Sequence, residues 1–258
     1  METNINGIKI NYTCEGDGDC VLLLHGWGAN IDIYKGIIDS LKSTMKIYAL
    51  DLPGMGKSSE PQTVWCVDDY LDFIIDFITS MGIKKLSLIG HSFGGRIIIK
   101  MMNRQDLTFE IDKIVLMDSA GIRPKLSIKK RIRQRYYKVC KWILNIGIVK
   151  WFYPDSLDRL RNRFGSADYN NASPIMRAIL VKVVNEDLTS LIGAIDRPTL
   201  LIWGDKDTAT PFSDAQKMNS LIKDSGIVKL EGAGHFSFLE QPLIVNKALN
   251  YFFSTKEG

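Results

Sequence analysis

The chain has 258 residues, 45% of them hydrophobic and 24% charged, with a net charge of +4. This make-up suits a soluble globular protein, long enough for one α/β domain carrying an insertion. The charge is too small to point to nucleic acid, and no apolar run is long enough to span a membrane. In chain order, Gly7–Thr13 alternates apolar and polar residues, as an edge strand with one wet face does. Cys20–Leu24 is a short apolar strand running into His25-Gly26-Trp27-Gly28. Residues 30–42 carry Ile33, Ile37, Ile38 and Leu41 at helical spacing. Lys46–Leu50 is the next strand and leads into a turn-rich loop from Asp51 to Ser58. Val67–Met81 is a helix with Asp68 and Asp69 in its first turn, where the helix dipole favours acids.

Leu86–Ile89 has the look of a strand buried on both faces. It meets Gly90-His91-Ser92-Phe93-Gly94-Gly95, and a helical apolar segment follows from Arg96 to Met102. A serine between glycines on a strand-to-helix turn has its hydroxyl pushed out above the sheet, the arrangement of a nucleophile elbow. Lys113–Asp118 is another buried strand. From Gly121 to Ala194 no strand pattern is visible, only helical periodicity. Strands resume at Pro198–Gly204 and Ile227–Glu231, separated by a helix over Ala215–Ile222. A last helix opens at Gln241-Pro242, with Ile244, Val245, Ala248, Leu249, Phe252 and Phe253 expected on its buried face. Strands alternating with helices predict a mostly parallel sheet covered on both faces. The predicted division is a core of residues 1–120 and 195–258 with a helical lid at 121–194. The lid would sit at the carboxyl end of the strands, where ligands bind in such sheets.

A serine needs a base, and the base needs an orienting acid. Only three histidines are present. His25 ends a strand, and His91 adjoins the serine and must point elsewhere. His235 lies in the Gly-rich loop Gly232–Phe236 after the last strand, where it can swing over the elbow. For the acid, Asp207 lies nearest the loop tip after Trp203, with Asp205 the close competitor and Asp118 the distant one. The order Ser92, Asp207, His235 is nucleophile, acid, base. Backbone N–H groups of Phe93 and Trp27 are the candidate oxyanion donors.

Together the His25–Gly28 loop, the Asp51–Ser58 loop, the elbow, Gly204–Asp207 with Pro211, and Gly234-His235-Phe236 resemble the α/β-hydrolase superfamily. The resemblance covers everything but the insertion. It implies an α/β-hydrolase fold and acyl-enzyme hydrolysis by Ser92, His235 and Asp207, with Trp27 and Phe93 as oxyanion donors. Serine at position 92 separates the chain from the haloalkane dehalogenases and epoxide hydrolases, which use an aspartate nucleophile. Its Gly-His-Ser-Phe-Gly turn also differs from the Gly-Gly-Ser-Trp-Gly of proline iminopeptidases. The expected activity is hydrolysis of a carboxylic ester of a small, apolar acyl substrate. The alternatives are carbon–carbon bond or thioester hydrolysis by the same residues, or a non-catalytic binding protein on the same fold.

No cofactor or metal is expected. Cys14, Cys20, Cys66 and Cys140 show no metal spacing and read as free thiols. The first residues carry no basic segment followed by an apolar run, so the expected compartment is the cytoplasm. Between Arg123 and Lys141 lie nine basic residues and no acid, so the rest of the chain is net acidic. Ile128, Ile132, Tyr136, Val139 and Ile143 recur at helical spacing there, which predicts an amphipathic lid helix with a basic outer face. Such a face can make weak contact with an anionic membrane surface. A small-molecule substrate is the one other partner expected. The oligomeric state is not legible in the sequence.

Overall fold

The computed structural model describes residues 1–123, 135–136, 140 and 167–255. An eight-stranded sheet runs through it: β1 (Glu2–Ile5), β2 (Ile8–Glu15), β3 (Asp19–Leu24), β4 (Met45–Leu50), β5 (Lys85–His91), β6 (Glu110–Met117), β7 (Thr199–Gly204) and β8 (Ser225–Leu230). Their spatial order is β1-β2-β4-β3-β5-β6-β7-β8. The β1/β2 and β2/β4 pairs are antiparallel, and every other pair is parallel. The helices are α1 (Lys35–Leu41), α2 (Val67–Ser80), α3 (Phe93–Met101), α4 (Ala167–Asn171), α5 (Pro174–Val184), α6 (Phe212–Leu221), α7 (Ser237–Glu240) and α8 (Pro242–Ser254). This is the α/β-hydrolase fold expected from the sequence.

Strand alternation divides the core in two. Leu22, Leu24, Leu88, Leu116 and Trp203 face α2, α3 and α5, while Val21, Leu23, Ile89, Val115 and Ile202 face α1 and α8. Both faces are dry, which is why the central strands carry unbroken apolar runs. The chain leaves β3 toward β4 on one side and later places β5 on the other. The carboxyl ends of β3 and β5 therefore flank a topological switch point, the place where open α/β sheets build their clefts.

Three details differ from the sequence expectation. β1 was not foreseen. It is held by a two-residue hairpin at Asn6 and Gly7, both with positive φ (50° and 81°), as a type I′ turn requires. Residues 30–42 begin as a tight 3-10 turn over Ile31–Tyr34 before α1. On α8, Val245 and Leu249 are buried as expected, but Ile244 is 52% exposed. Ile244 precedes Val245 by one residue, about 100° round the helix, and so falls off the stripe that Val245 and Leu249 bury.

Between β6 and β7 the described helices are α4 and α5, followed by a 3-10 turn at Thr189–Ala194. The predicted basic helix lies outside the described residues except for Arg123, Arg135, Tyr136 and Cys140. The returning leg of this segment is gripped by α3. Arg96 donates to the carbonyls of Glu186 (2.6 Å) and Val184 (3.3 Å). One turn on, Lys100 is ion-paired with Asp68 of α2 (2.6 Å) and with Glu186 (2.5 Å). Asn103 donates to the Leu191 carbonyl at 3.1 Å. The Leu188 N–H donates to the Gly121 carbonyl at 2.8 Å, joining the outgoing and returning legs. Among the described residues, no helix is long and apolar enough to cross a membrane.

Candidate active site

Ser92 is the single residue between β5 and α3. Its φ of 47° and ψ of −107° put a non-glycine residue in a sparsely allowed region, a strain that the neighbours must hold in place. They do so through the backbone. Ser92 N–H donates to the Met117 carbonyl at 3.2 Å, and the Ser92 carbonyl accepts from Gly95 (3.1 Å) and Ala120 (3.0 Å). The flanking glycines are sterically required. A Cβ on Gly90 would lie 2.8 Å from the Gly95 nitrogen, and one on Gly94 would run into the Leu24 carbonyl.

His235 comes from the loop after β8 and Asp207 from the loop after β7. His235 Nδ1–H donates to Asp207 Oδ2 at 2.7 Å. That leaves Nε2 as an acceptor, 3.0 Å from Ser92 Oγ. The His235 side chain is 23% exposed, whereas that of Asp207 is fully buried. Burial pushes the Asp207 carboxyl up, but hydrogen bonds from His235 and Thr210 outweigh it and leave it below the usual value. Its Oδ1 accepts the N–H groups of Ala209 (2.7 Å) and Thr210 (3.0 Å), an Asx turn. Its Oδ2 also accepts the Thr210 hydroxyl at 2.6 Å. Asp205 lies apart from the imidazole, accepting the Gly232 N–H at 2.7 Å. The Asp118 carboxylate is not on the imidazole either.

The other two histidines are buried and neutral. Burial lowers His25 to about 4. It donates through Nδ1 to the Gly26 carbonyl (2.7 Å) and accepts the Leu52 N–H on Nε2 (2.9 Å), tying the Gly26–Gly28 loop to the loop after β4. Burial lowers His91 to about 3. Its Nε2–H donates to the His235 carbonyl at 2.8 Å, steadying the base loop from below. A Cβ on Gly26 would lie 2.8 Å from His91 Nδ1 and 3.2 Å from Ser92 Cβ, so the loop after β3 runs directly over the elbow. Trp27 and Phe93 meet there, with ring centroids 5.6 Å apart. Phe93 is the first residue of α3, and its N–H has no partner inside the helix. The edge-to-face contacts continue from Phe93 to Tyr70 (5.0 Å) and from Tyr70 to Trp65 (5.1 Å), an aromatic stack whose middle members, Phe93 and Tyr70, are buried.

The structure thus brings Ser92, His235 and Asp207 into one hydrogen-bonded line beside Trp27 and Phe93. Such a line can move a proton from a hydroxyl to an imidazole. Thr210 and His91 were not singled out from the sequence. The spacing Asp207-Thr208-Ala209-Thr210 carried an Asx-turn signal that also favours Asp207 over Asp205. Nothing local marked the His91 contact, which joins residues 144 positions apart.

Comparison with known proteins gives the family of the chain. A family model described as the alpha/beta hydrolase fold matches residues 19–242. The 2-hydroxy-6-oxo-6-(2'-aminophenyl)hexa-2,4-dienoic acid hydrolase of Metapseudomonas resinovorans is 24% identical, over 93% of this chain and 85% of its own. The pimeloyl-[acyl-carrier protein] methyl ester esterase of Nitrosomonas europaea is 23% identical, over 91% and 95%. Among solved structures, a thermophilic esterase from Thermogutta terrifontis superposes with a TM-score of 0.73 at 23% identity, covering 98% of both chains.

Proposed function

The chain belongs to the alpha/beta hydrolase fold family, and from that premise we propose that it is a serine hydrolase that cleaves a carboxylic ester-type bond of a small, apolar acyl substrate through an acyl-enzyme. The observation that carries this reading is the unbroken line from Asp207 through His235 to the hydroxyl of Ser92 on its strained turn. Ser92 Oγ attacks the acyl carbonyl as His235 Nε2 takes its proton. Asp207 holds the imidazole in the tautomer that leaves Nε2 unprotonated, and stabilises the imidazolium once it forms. The N–H groups of Phe93 and Trp27 take the oxyanion, and the start of α3 adds partial positive charge. His235 then protonates the leaving alcohol. A water activated by the same imidazole releases the acid and restores Ser92.

The apolar acyl preference is supported by Trp27, which packs on Phe93 over the elbow. In this reading residues 121–194 cap the site and residues 1–120 and 195–258 form the catalytic core. A second reading, hydrolysis of a carbon–carbon bond by the same residues, is favoured by the likeness to the dienoic acid hydrolase. The bond open to water in a 6-oxo dienoic acid is the one beside its ketone.

A fluorophosphonate probe should label the wild type on Ser92 and leave Ser92→Ala unlabelled. A panel of p-nitrophenyl esters, acyl thioesters and vinylogous diketones then decides the bond. Turnover of the esters alone fits the first reading, and turnover of the diketones alone fits the second. An unlabelled, inactive but folded wild type sinks both.

A further inference from the structure

Asp118 stands one residue past the end of β6, fully buried, with a φ of 43° that only the surrounding contacts can hold in a non-glycine residue. Its Oδ1 accepts the N–H of Gly204, the last residue of β7, at 2.9 Å. Its Oδ2 accepts both the N–H (3.1 Å) and the hydroxyl (2.6 Å) of Ser237. Gly204 leads into the Asp207 loop, and Ser237 lies two residues after His235. The Asp118 carbonyl also faces the Thr210 hydroxyl at 3.0 Å, the same hydroxyl that reaches Asp207 Oδ2.

We propose that Asp118 is a positioning residue for the reaction, a keystone whose carboxylate sets the acid loop and the base loop at the separation that puts His235 Nε2 against Ser92 Oγ. It touches neither substrate nor the reacting atoms. The inference rests on the reading of Ser92, His235 and Asp207 given above.

The chemistry of the donors explains why the residue is an aspartate. Both oxygens receive protons, so the side chain must be an acceptor on both sides. An asparagine in its place would turn its NH₂ toward Gly204 or Ser237 and leave two donors facing each other. The carboxylate is retained at a cost. Burial pushes it up to about 6, the Ser237 and Gly204 donors pull it down, and the charge of Asp207 raises it. The charged group that acts on it is Asp207, on the loop after β7, a carboxylate that does not neutralise it.

The test compares wild type, Ser237→Ala, Asp118→Asn and the double variant. Each is read by the rate of fluorophosphonate labelling of Ser92 and by kcat and KM on a p-nitrophenyl ester. Ser237→Ala keeps the backbone contact and should keep the fold. It should lower kcat and labelling roughly threefold to tenfold, the value of one hydrogen bond, with KM within about twofold. Asp118→Asn should lower them about 10²-fold, the cost of a misplaced base, again with little change in KM. If both act through one contact, the double variant falls no further than Asp118→Asn. Losses that multiply in the double variant overturn the role. So does a Ser237→Ala variant that labels at the wild-type rate, a result that decides the matter even if Asp118→Asn does not fold. A folded wild type that the probe leaves unlabelled overturns the reading of Ser92 itself, and the two failures are therefore told apart by the wild type alone.

Discussion

Asp118 and Asp207 stand past the carboxyl ends of neighbouring strands, both buried, yet their carboxyls are driven in opposite directions. Burial pushes each one up. At Asp207, four hydrogen bonds, one of them from His235, overcome burial and hold the group below its usual range. At Asp118, three bonds from neutral donors do not, and the group rises to about 6. Asp207 has one more donor, the His235 imidazole, while at Asp118 the charge of Asp207 adds to burial in pushing the group up. Two carboxylates whose surroundings push them apart are suited to two tasks. In the proposed mechanism Asp207 answers the charge that forms on the imidazole, and Asp118 holds the frame in which that happens.

The comparison depends first on Ser92 being the nucleophile. Ser92→Ala should lower ester turnover by about 10⁶-fold while circular dichroism and thermal midpoint stay close to wild type. Activity within a few-fold of wild type would remove the ground for assigning either carboxylate. Next, Asp207→Asn should lower kcat by about 10⁴-fold, because an amide facing Nδ1 favours the wrong tautomer. The comparison breaks if, on the same ester, Asp118→Asn costs more than Asp207→Asn.

A third measurement sharpens it through stability. The folded Asp118 carboxyl titrates near 6, above its ordinary value of 3.8. Between those values the folded state holds the proton more tightly than the unfolded chain does. Stability contributed by Asp118 is therefore present at low pH and lost as pH rises through about 6. Asp207, with its lowered value, has the opposite sign: it stabilises above the ordinary carboxylate range, and that is lost on acidification. Urea unfolding of wild type and Asp118→Asn from pH 4 to 7 should show wild type losing ground to the variant as pH rises. A gap independent of pH would mean that Asp118 does not titrate in that window. The smallest effect is expected at Asp205, which accepts only the Gly232 N–H. Asp205→Asn keeps a carbonyl for that donor, and kcat should stay within about threefold of wild type.

Much of this was legible in the chain. The glycines around Ser92, the Gly-rich loop around His235 and the apolar strand runs are local signals, each forced by sterics or burial at its own position. β1 has a local signal too, since Asn6-Gly7 is a strong hairpin turn. The exposed Ile244 was not, because helical spacing gives a face but not its rotation against the sheet. Asp118 could be found as a competitor for the acid but not as a keystone. Its partners Gly204 and Ser237 lie 86 and 119 positions away, and only the pairing of β6 with β7 and of β7 with β8 brings them within reach.

The grip of α3 on the returning leg of the insertion has a practical meaning for building variants. Arg96, Lys100 and Asn103 hold residues 184–191 largely by their backbone carbonyls, and the Leu188–Gly121 bond pins the two legs side by side. The main-chain contacts of this seam accept any side chain, while the Lys100 ion pair requires the carboxylate of Glu186. Closely spaced ends of this kind are where foreign segments are best tolerated. An exchange made here must keep Glu186 and α5, whose Met176, Ile179 and Val183 are buried in the core beside α2 and α3.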